Sequence, residues 1–226
     1  MNAPSPPFCT VAIDGGAASG KSSTARGLST RYHLLHVDTG SHYRALTHLL
    51  RRKGQPPEEG EALDEALNNL PLSARVDDHH AVLLAGEEPV REEDLRGPEV
   101  NEWVSTYAAL PAVRHRLLAL QRWFVPFARE EGFAGVVMEG RDIGSVVLPD
   151  ADLRFFLEAD PDERAARRRA EGQEDTIADR DRRDTERQSS PLVCPEGAIR
   201  IDTGALSLPE VIARVGKAIE RFREKA

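Results

Sequence analysis

The sequence has little of several features that point to particular classes of protein. Its two cysteines, Cys9 and Cys194, have a spacing that suits neither a disulfide framework nor a metal cluster, which is typical of the reducing cytoplasm. No apolar run approaches the length of a membrane span, and residues 1–7 are proline-rich without the basic start and apolar run of a signal peptide. We therefore expect a cytoplasmic protein that does not bind a membrane.

Basic residues are outnumbered by acidic ones. The chain of 226 residues has 38 Asp and Glu against 30 Lys and Arg, a formal net charge of -8, which argues against a general nucleic-acid binder. Lysine occurs only at positions 21, 53, 217 and 225, so most of the positive charge is arginine, which binds phosphate in a planar, bidentate way. The arginine-rich residues 164–187 include acidic residues and no aromatic residues for base stacking. We interpret them as a charged lid and expect no nucleic-acid partner.

Apolar stretches of strand length alternate with helical patterns. Buried strands are expected at residues 8–14, 34–37, 135–138, 153–157 and 198–201. Helices are expected at residues 21–32, at 43–54, from about 99, at 111–132, from 160 and from a capping box at 207–210. Between them, residues 56–98 have short alternating runs that indicate a small inserted α+β subdomain. The alternation predicts a parallel sheet with helices on both faces.

The clearest motif is a glycine-rich loop. Residues 15–22 match G-x-x-x-x-G-K-[ST] between a predicted strand and a predicted helix, which is the context that the motif requires. Backbone N–H groups of such a loop face one anion, Lys21 can reach the β- and γ-phosphates, and the Ser22 hydroxyl can bind Mg²⁺. The motif indicates a nucleoside triphosphate, and GTPases, ATPases and small-molecule kinases share it. The residues expected to bind it are Gly15, Gly16, Ala17, Ala18, Ser19, Gly20, Lys21, Ser22 and Ser23.

A second pattern favours a kinase among these classes. The sequence contains no switch loops and no base-reading N-K-x-D motif, as a GTPase would need. Where a motor ATPase usually ends a strand in magnesium-binding acids, residues 139–142 read Glu-Gly-Arg-Asp. An arginine at the phosphate-binding edge indicates a second, phosphorylated substrate.

Several blocks from about Thr10 to the end of the chain resemble bacterial cytidylate kinases, which phosphorylate CMP and dCMP with ATP. Besides the loop, these blocks lie at residues 38–44, 86–96, 99–105, 111–114, 140–144 and 180–192. The resemblance implies an α/β P-loop NTPase core with a five-stranded parallel sheet flanked by helices, at residues 8–62 and 99–226. It also implies a small three-stranded α+β insert on the monophosphate-binding side, at residues 63–98, and a short lid at about 170–190. ATP with Mg²⁺ and CMP or dCMP are the implied substrates, and we expect a monomer.

The resemblance also assigns roles to residues outside the loop. Arg44 and Arg141 are expected to hold the CMP phosphate, and Arg180 and Arg187 to close over the transferring group. Because the acceptor oxygen is already ionised, the reaction needs these cations and no general base. The expected catalytic residues are Lys21, Arg141, Arg180 and Arg187. The expected CMP-binding residues are Thr39, Arg44, Ser105, Arg114, Arg141, Asp142, Arg180, Asp184 and Arg187.

Within that set, the resemblance distinguishes base from ribose contacts. Ser105, Arg114 and Asp142 match positions that contact cytosine, whereas Thr39 and Asp184 are candidates for the ribose. Asp142 could equally help to position Mg²⁺ through water.

Some alternatives remain open at this point. The acceptor could be UMP or a non-nucleotide metabolite, or the chain could be a nucleotide-binding module that does not turn ATP over. The segment between residues 169 and 180 is about ten residues shorter than in typical relatives, which leaves the adenine contacts of the lid unassigned. Four histidines, at positions 33, 36, 79 and 80, show no ligand spacing and are interpreted as surface or loop residues.

Overall fold

The structure is a computed structural model. It describes residues 6–170, 177–187 and 189–225, without the side chains of residues 168 and 177–180. The strands are Cys9–Gly15 (β1), Leu35–Asp38 (β2), Leu72–Asp77 (β3), His80–Ala85 (β4), Glu88–Pro89 (β5), Gly135–Gly140 (β6), Leu153–Glu158 (β7) and Ile199–Asp202 (β8). The helices are Lys21–Tyr32 (α1), Thr39–Arg52 (α2), Glu61–Asn68 (α3), Glu92–Leu95 (α4), Pro98–Ala109 (α5), Pro111–Glu130 (α6), Pro161–Ala170 (α7), Ile177–Glu186 (α8) and Leu208–Lys225 (α9).

One sheet of eight strands runs through the described part of the chain, in the order β3-β4-β2-β6-β1-β7-β8, with β5 paired to β4. Its five strands β2, β6, β1, β7 and β8 are parallel, and each corresponds to a predicted strand. The predicted parallel core is therefore confirmed. The glutamate half of the predicted capping box is present, because Glu210 accepts hydrogen bonds from the Ser207 N–H at 2.8 Å and from the Ser207 hydroxyl at 2.6 Å.

The strands between residues 63 and 98 do not form a sheet of their own. Strands β3 and β5 pair antiparallel with β4, and β4 pairs parallel with β2 at His80 and His36, so the three strands extend the central sheet. The helix α3, which the sequence analysis did not predict, begins at Glu61, two residues before the predicted insert. The division of the chain into core and insert stays a prediction.

Helices cover both faces of the central strands. Val11 and Ile13 of β1 pack with residues of α1 and α9, whereas the intervening Ala12 packs with Phe124 of α6. Because side chains of a strand alternate between the two faces, burial of both faces requires a continuous apolar run. This is why β1 and β6 could be predicted from the sequence.

The carboxyl ends of the parallel strands meet at one edge of the sheet, where α/β folds bind ligands. The glycine-rich loop follows β1, α2 follows β2, and residues 141–142 follow β6. Asp14 ties two of these segments together, because its carboxylate accepts hydrogen bonds from the N–H groups of Ile143 (2.7 Å) and Gly144 (2.8 Å). These two residues open a π-helical segment, Ile143–Val147, directly after the predicted Arg141 and Asp142.

Candidate active site

The glycine-rich loop curls around the N-terminus of α1. Gly20 has a φ of 86°, which favours glycine, and a side chain at Gly15 would overlap the backbone of β7. Lys21 Nζ donates to the carbonyl oxygen of Gly16 at 2.7 Å, so the ammonium group lies over the loop. Burial, with the nearby Arg141 cation, lowers the pKa of Lys21 to about 7. An anion in the loop would favour the charged form of this lysine.

A carboxylate from α8, which lies in the predicted lid, contacts the loop. Asp181 Oδ1 accepts a hydrogen bond from the Ala17 N–H at 3.1 Å, and Asp181 Oδ2 is paired with Arg164 of α7. Arg164 Nη1 also donates to the Ala17 carbonyl oxygen at 3.1 Å. Loop N–H groups of this kind bind phosphate oxygens. Asp181 therefore holds a negatively charged oxygen at a donor that the loop would offer to a phosphate.

Next to the loop, a buried carboxylate contacts the predicted magnesium ligand. Ser22 Oγ donates to Glu139 Oε2 at 2.9 Å, and Glu139 Oε1 lies 3.1 Å from His36 Nε2. Glu139 and His36 are 2% and 4% exposed. The interpretation of His36 as a surface or loop residue is therefore wrong. Glu139 had no predicted role. A local signal for it exists, because Glu139 is an acidic residue at the end of an apolar strand that pairs with the strand before the loop.

Seven of the nine predicted CMP-binding residues, all but Arg114 and Arg180, line a cavity of about 80 Å³ beside the loop. Four residues at its mouth also line a cavity of about 120 Å³ that contains Lys21 and Ser22, so the two cavities adjoin. These shared residues are Gly40, Arg44, Gly140 and Arg141. The smaller cavity is lined by Thr39, Gly40, Tyr43, Arg44, Val104, Ser105, Ala108, Gly140, Arg141, Asp142, Asp184 and Arg187.

Arg44 is fixed at this mouth by groups that the sequence did not reveal. Its Nη1 donates to the Leu95 carbonyl oxygen at 2.9 Å and to Asn101 Oδ1 at 2.8 Å. Asn101 is held in turn, because its Nδ2 donates to the Arg96 carbonyl oxygen at 2.8 Å. These contacts bring together α2, α4 and α5, so local sequence carries no signal for them.

Asp142, which lines the cavity, forms a buried ion pair with Arg114. Arg114 is further oriented by two acceptors, the Ala108 carbonyl oxygen at 3.0 Å and Ser190 Oγ at 3.2 Å. The two residues are 8% and 4% exposed, so the pair is shielded from water. The carboxylate of Asp142 is therefore fixed in the cavity that Ser105 also lines, as a site that reads the edge of a base requires.

Two arginines and the carboxylate of Asp184 join α8 to the end of β6. Arg141 Nε donates to Asp184 Oδ2 at 2.8 Å, and Arg187 Nη1 lies 3.8 Å from Asp184 Oδ1. Arg187 Nη2 is 3.6 Å from Asp142 Oδ1 and has no hydrogen-bond partner among the described residues. Burial and the neighbouring Arg114 lower the pKa of Arg187. An anion between these guanidinium groups would relieve their mutual repulsion.

A third cavity, of about 450 Å³, lies on the other side of the loop. Ser23 of α1 and Arg167 of α7 line it, together with Thr203, which follows β8. Thr203 Oγ1 donates to the Ser19 carbonyl oxygen at 3.0 Å, and Arg167 Nη2 donates to the Thr203 carbonyl oxygen at 2.8 Å. The volume and the partly apolar walls suit a base and ribose.

The predicted site residues whose side chains are described thus lie in or beside these adjoining cavities. Arg180 is not among them, because only its backbone, in α8, is described. Likewise, residues 171–176 and 188 of the predicted lid lie outside the described part of the chain. The roles assigned to the individual residues stay predictions.

Two kinds of feature are absent from the described residues. They contain no group of three or more His, Cys, Asp or Glu side chains arranged to hold a metal ion. None of their helices combines the length and the apolar character needed to cross a bilayer.

Comparison with known proteins gives the family. The family model for cytidylate kinase matches residues 11–221. The chain belongs to the cytidylate kinase family. The cytidylate kinase of Pelotomaculum thermopropionicum is 40% identical over 231 residues, which cover 96% of this chain and 99% of that enzyme. The cytidylate kinase of Mycobacterium leprae is 39% identical, with 91% and 92% coverage.

A longer relative shares only one part with this chain. A bifunctional pantoate ligase/cytidylate kinase of Synechococcus is 39% identical over 96% of this chain, but the match spans 41% of that protein's length. The predicted membership of the cytidylate kinase family is confirmed by these matches.

Proposed function

We propose that this chain transfers the γ-phosphoryl group of ATP to CMP or dCMP and releases ADP with CDP or dCDP. Beyond membership of the family, one observation carries the proposal. Two cavities lined by cationic side chains meet at Arg44 and Arg141. One cavity contains the P-loop lysine, and the other is lined by Asp142, whose carboxylate is paired with Arg114. A phosphate donor and a phosphorylated acceptor would meet at this junction.

On the donor side, the loop N–H groups and Lys21 bind the β- and γ-phosphates, and the 450 Å³ cavity takes adenine and ribose. Ser22 Oγ and Glu139 Oε2, 2.9 Å apart, supply the few oxygen ligands that Mg²⁺ uses when it is bound mainly by phosphates and water. The residues present therefore fit this ion. When bound with ATP, Mg²⁺ would neutralise charge on the phosphates that flank the reacting bond.

On the acceptor side, Arg44 and Arg141 hold the CMP phosphate, and Arg180 and Arg187 stabilise the transferring group. The negative charge spread over the equatorial oxygens in the transition state needs donors that are already oriented. Arg44 is held by Leu95 and Asn101, so it meets this condition. No residue has to remove a proton, because the attacking phosphate oxygen is ionised.

Recognition of cytosine is assigned to Ser105, Arg114 and Asp142. Cytosine presents an amino donor and a ring-nitrogen acceptor, whereas uracil presents the opposite groups at these positions. A carboxylate that accepts from the amine and an arginine that donates to the ring would distinguish the two bases. Thr39 and Asp184, which line the same cavity, are assigned to the ribose.

We further propose that the enzyme acts as a monomer in the cytoplasm. The free cysteines Cys9 and Cys194 suit a reducing compartment.

A coupled assay of ADP formation with CMP, dCMP, UMP and AMP tests the proposal. We expect CMP and dCMP to support turnover far better than UMP or AMP. Equal turnover with UMP would make the acceptor class broader than proposed, and turnover with none of the four would indicate a non-catalytic nucleotide-binding module.

The same assay with Ser105→Ala tests whether Ser105 takes part in the recognition of cytosine. Loss of one polar partner should lower the ratio of CMP to UMP efficiency about tenfold. Thr106→Ala is the matched control, since that hydroxyl is one residue further along α5 and does not line the cavity. An unchanged ratio in Ser105→Ala would show that cytosine is read elsewhere.

A further inference from the structure

His36 is an imidazole buried in the centre of the sheet. It lies in β2 between the fully buried Leu35 and Val37 and is itself 4% exposed. A buried polar side chain costs free energy unless its polar atoms are hydrogen-bonded. Both ring nitrogens have partners, because Nε2 lies 3.1 Å from Glu139 Oε1 and Nδ1 lies 3.0 Å from His80 Nδ1.

The contact with Glu139 fixes one proton of the ring. The carboxylate of Glu139 can only accept, so Nε2 of His36 donates to it. His36 Nδ1 and His80 Nδ1, 3.0 Å apart, share a second proton. Because β2 and β4 pair at His36 and His80, the backbone holds the two rings in register.

As a result, both carboxylate oxygens of Glu139 have a hydrogen-bond partner. His36 holds Oε1, and the Ser22 hydroxyl lies 2.9 Å from Oε2. Without the imidazole, the carboxylate would lose the contact that opposes rotation away from Ser22. A residue that orients a ligand in this way commonly matters as much as the ligand it orients.

We propose that His36 is a positioning residue for the phosphoryl-transfer reaction, which holds the Glu139 carboxylate at Ser22 so that this end of the loop is ready for the metal-bound phosphates. The inference rests on the proposed function, in which Ser22 and Glu139 lie on the magnesium side of ATP. His36 itself touches neither substrate.

Two substitutions that differ by one methylene group separate positioning from packing. In His36→Gln, the amide nitrogen can extend to the place of Nε2 and donate to Glu139. In His36→Asn, the side chain is too short for that contact, although it stays polar. His42→Asn is the matched control, because His42 is 1% exposed and neither of its ring nitrogens has a hydrogen-bond partner within the described chain.

The measurement is ATP affinity by calorimetry, with Mg²⁺ and with EDTA, in the absence of any acceptor. The gain in affinity from Mg²⁺ should be about tenfold smaller in His36→Asn than in the original protein, and nearly unchanged in His36→Gln and His42→Asn. The affinity for metal-free ATP should be the same in all four proteins. If His36→Asn does not fold, His36→Leu, which fills the site without a donor, should give the same loss.

The inference is overturned if His36→Asn keeps the full gain from Mg²⁺, or if it weakens metal-free ATP equally, because a general disturbance of the loop would do that. It is also overturned if His36→Gln and His36→Asn behave alike. Failure of the proposed function has a different signature. In that case the original protein would not phosphorylate CMP, while the contrast in magnesium dependence would remain.

Discussion

The donor and acceptor sides of the site are built in opposite ways. On the donor side, eight consecutive residues, 15–22, form the phosphate loop, and most of its hydrogen-bond donors are backbone groups. On the acceptor side, the cavity takes its residues from α2, α5, the end of β6 and the end of α8. Its donors are arginine side chains, and each is held by a carboxylate or a carbonyl oxygen from another element.

This difference bears on how each side responds to substitution. The loop keeps its geometry when one side chain is lost, so the effect should be confined to the charge removed. The acceptor side is a network in which Asp142 contacts Arg114 and Arg187, while Asp184 contacts Arg141 and Arg187. Substitutions there should be non-additive, because each one leaves a buried partner behind.

The largest effect is expected on the donor side, from Lys21→Ala. Phosphoryl transfer should fall about a thousandfold or more, because the lysine neutralises charge on the phosphates. The thermal transition should hardly move, since the loop backbone is intact and burial already disfavours the charged amine. Lys217→Ala, an exposed position on α9, is the control and should leave turnover unchanged. Turnover of Lys21→Ala within a few-fold of the original would contradict the P-loop assignment.

The next effect concerns the acceptor side, in Arg187→Ala. Its kcat should fall about a hundredfold or more, because an oriented donor acts most strongly on transition-state charge. The affinity for CMP should change far less, since Arg44 and Arg141 remain. Steady-state kinetics over both substrates separates the two quantities.

Arg183→Ala is the control, because it removes the same side chain from an exposed position of α8. Arg187→Lys should recover only part of kcat, since it keeps the charge without the planar fork. An equal loss of CMP affinity and kcat in Arg187→Ala would instead make this residue a simple binding group.

The smallest effect tests the carboxylate that contacts the loop. Asp181→Ala should tighten ATP binding about fivefold, because Asp181 competes for the Ala17 N–H and repels phosphate. Glu186→Ala removes an equal charge from an exposed position on the same helix and should have little effect. Direct titration with ATP measures both. Weaker ATP binding in Asp181→Ala would instead show that the ion pair between Asp181 and Arg164 stabilises the ATP-bound protein.

The same contrast explains what the sequence could predict. The loop, the five parallel strands and the start of the last helix are local patterns of period, motif and spacing, and the structure has all of them. The pairing of β4 with β2 depends on a contact between residues 44 positions apart. Helical and strand periods carry no information about such contacts.

The residues of the candidate site also divide into those with a local sequence signal and those that depend on contacts between distant elements. The arginines of the acceptor side were identified through the family resemblance, because their spacing along the chain has no meaning until the elements pack. Asn101 and His36 were missed, since each acts on a functional residue through a hydrogen bond between elements. Glu139 was the one missed residue with a local signal.

The most direct test of the account is the binding of a bisubstrate compound in which adenosine and cytidine are joined by a chain of phosphates. If the donor and acceptor cavities meet at Arg44 and Arg141, one molecule should bind per chain and compete with both ATP and CMP. Its affinity should exceed that of either substrate about a hundredfold, because the second half binds at a high effective concentration. Competition with only one substrate, or an affinity no better than that of ATP alone, would contradict the claim that the two cavities form one phosphoryl-transfer site.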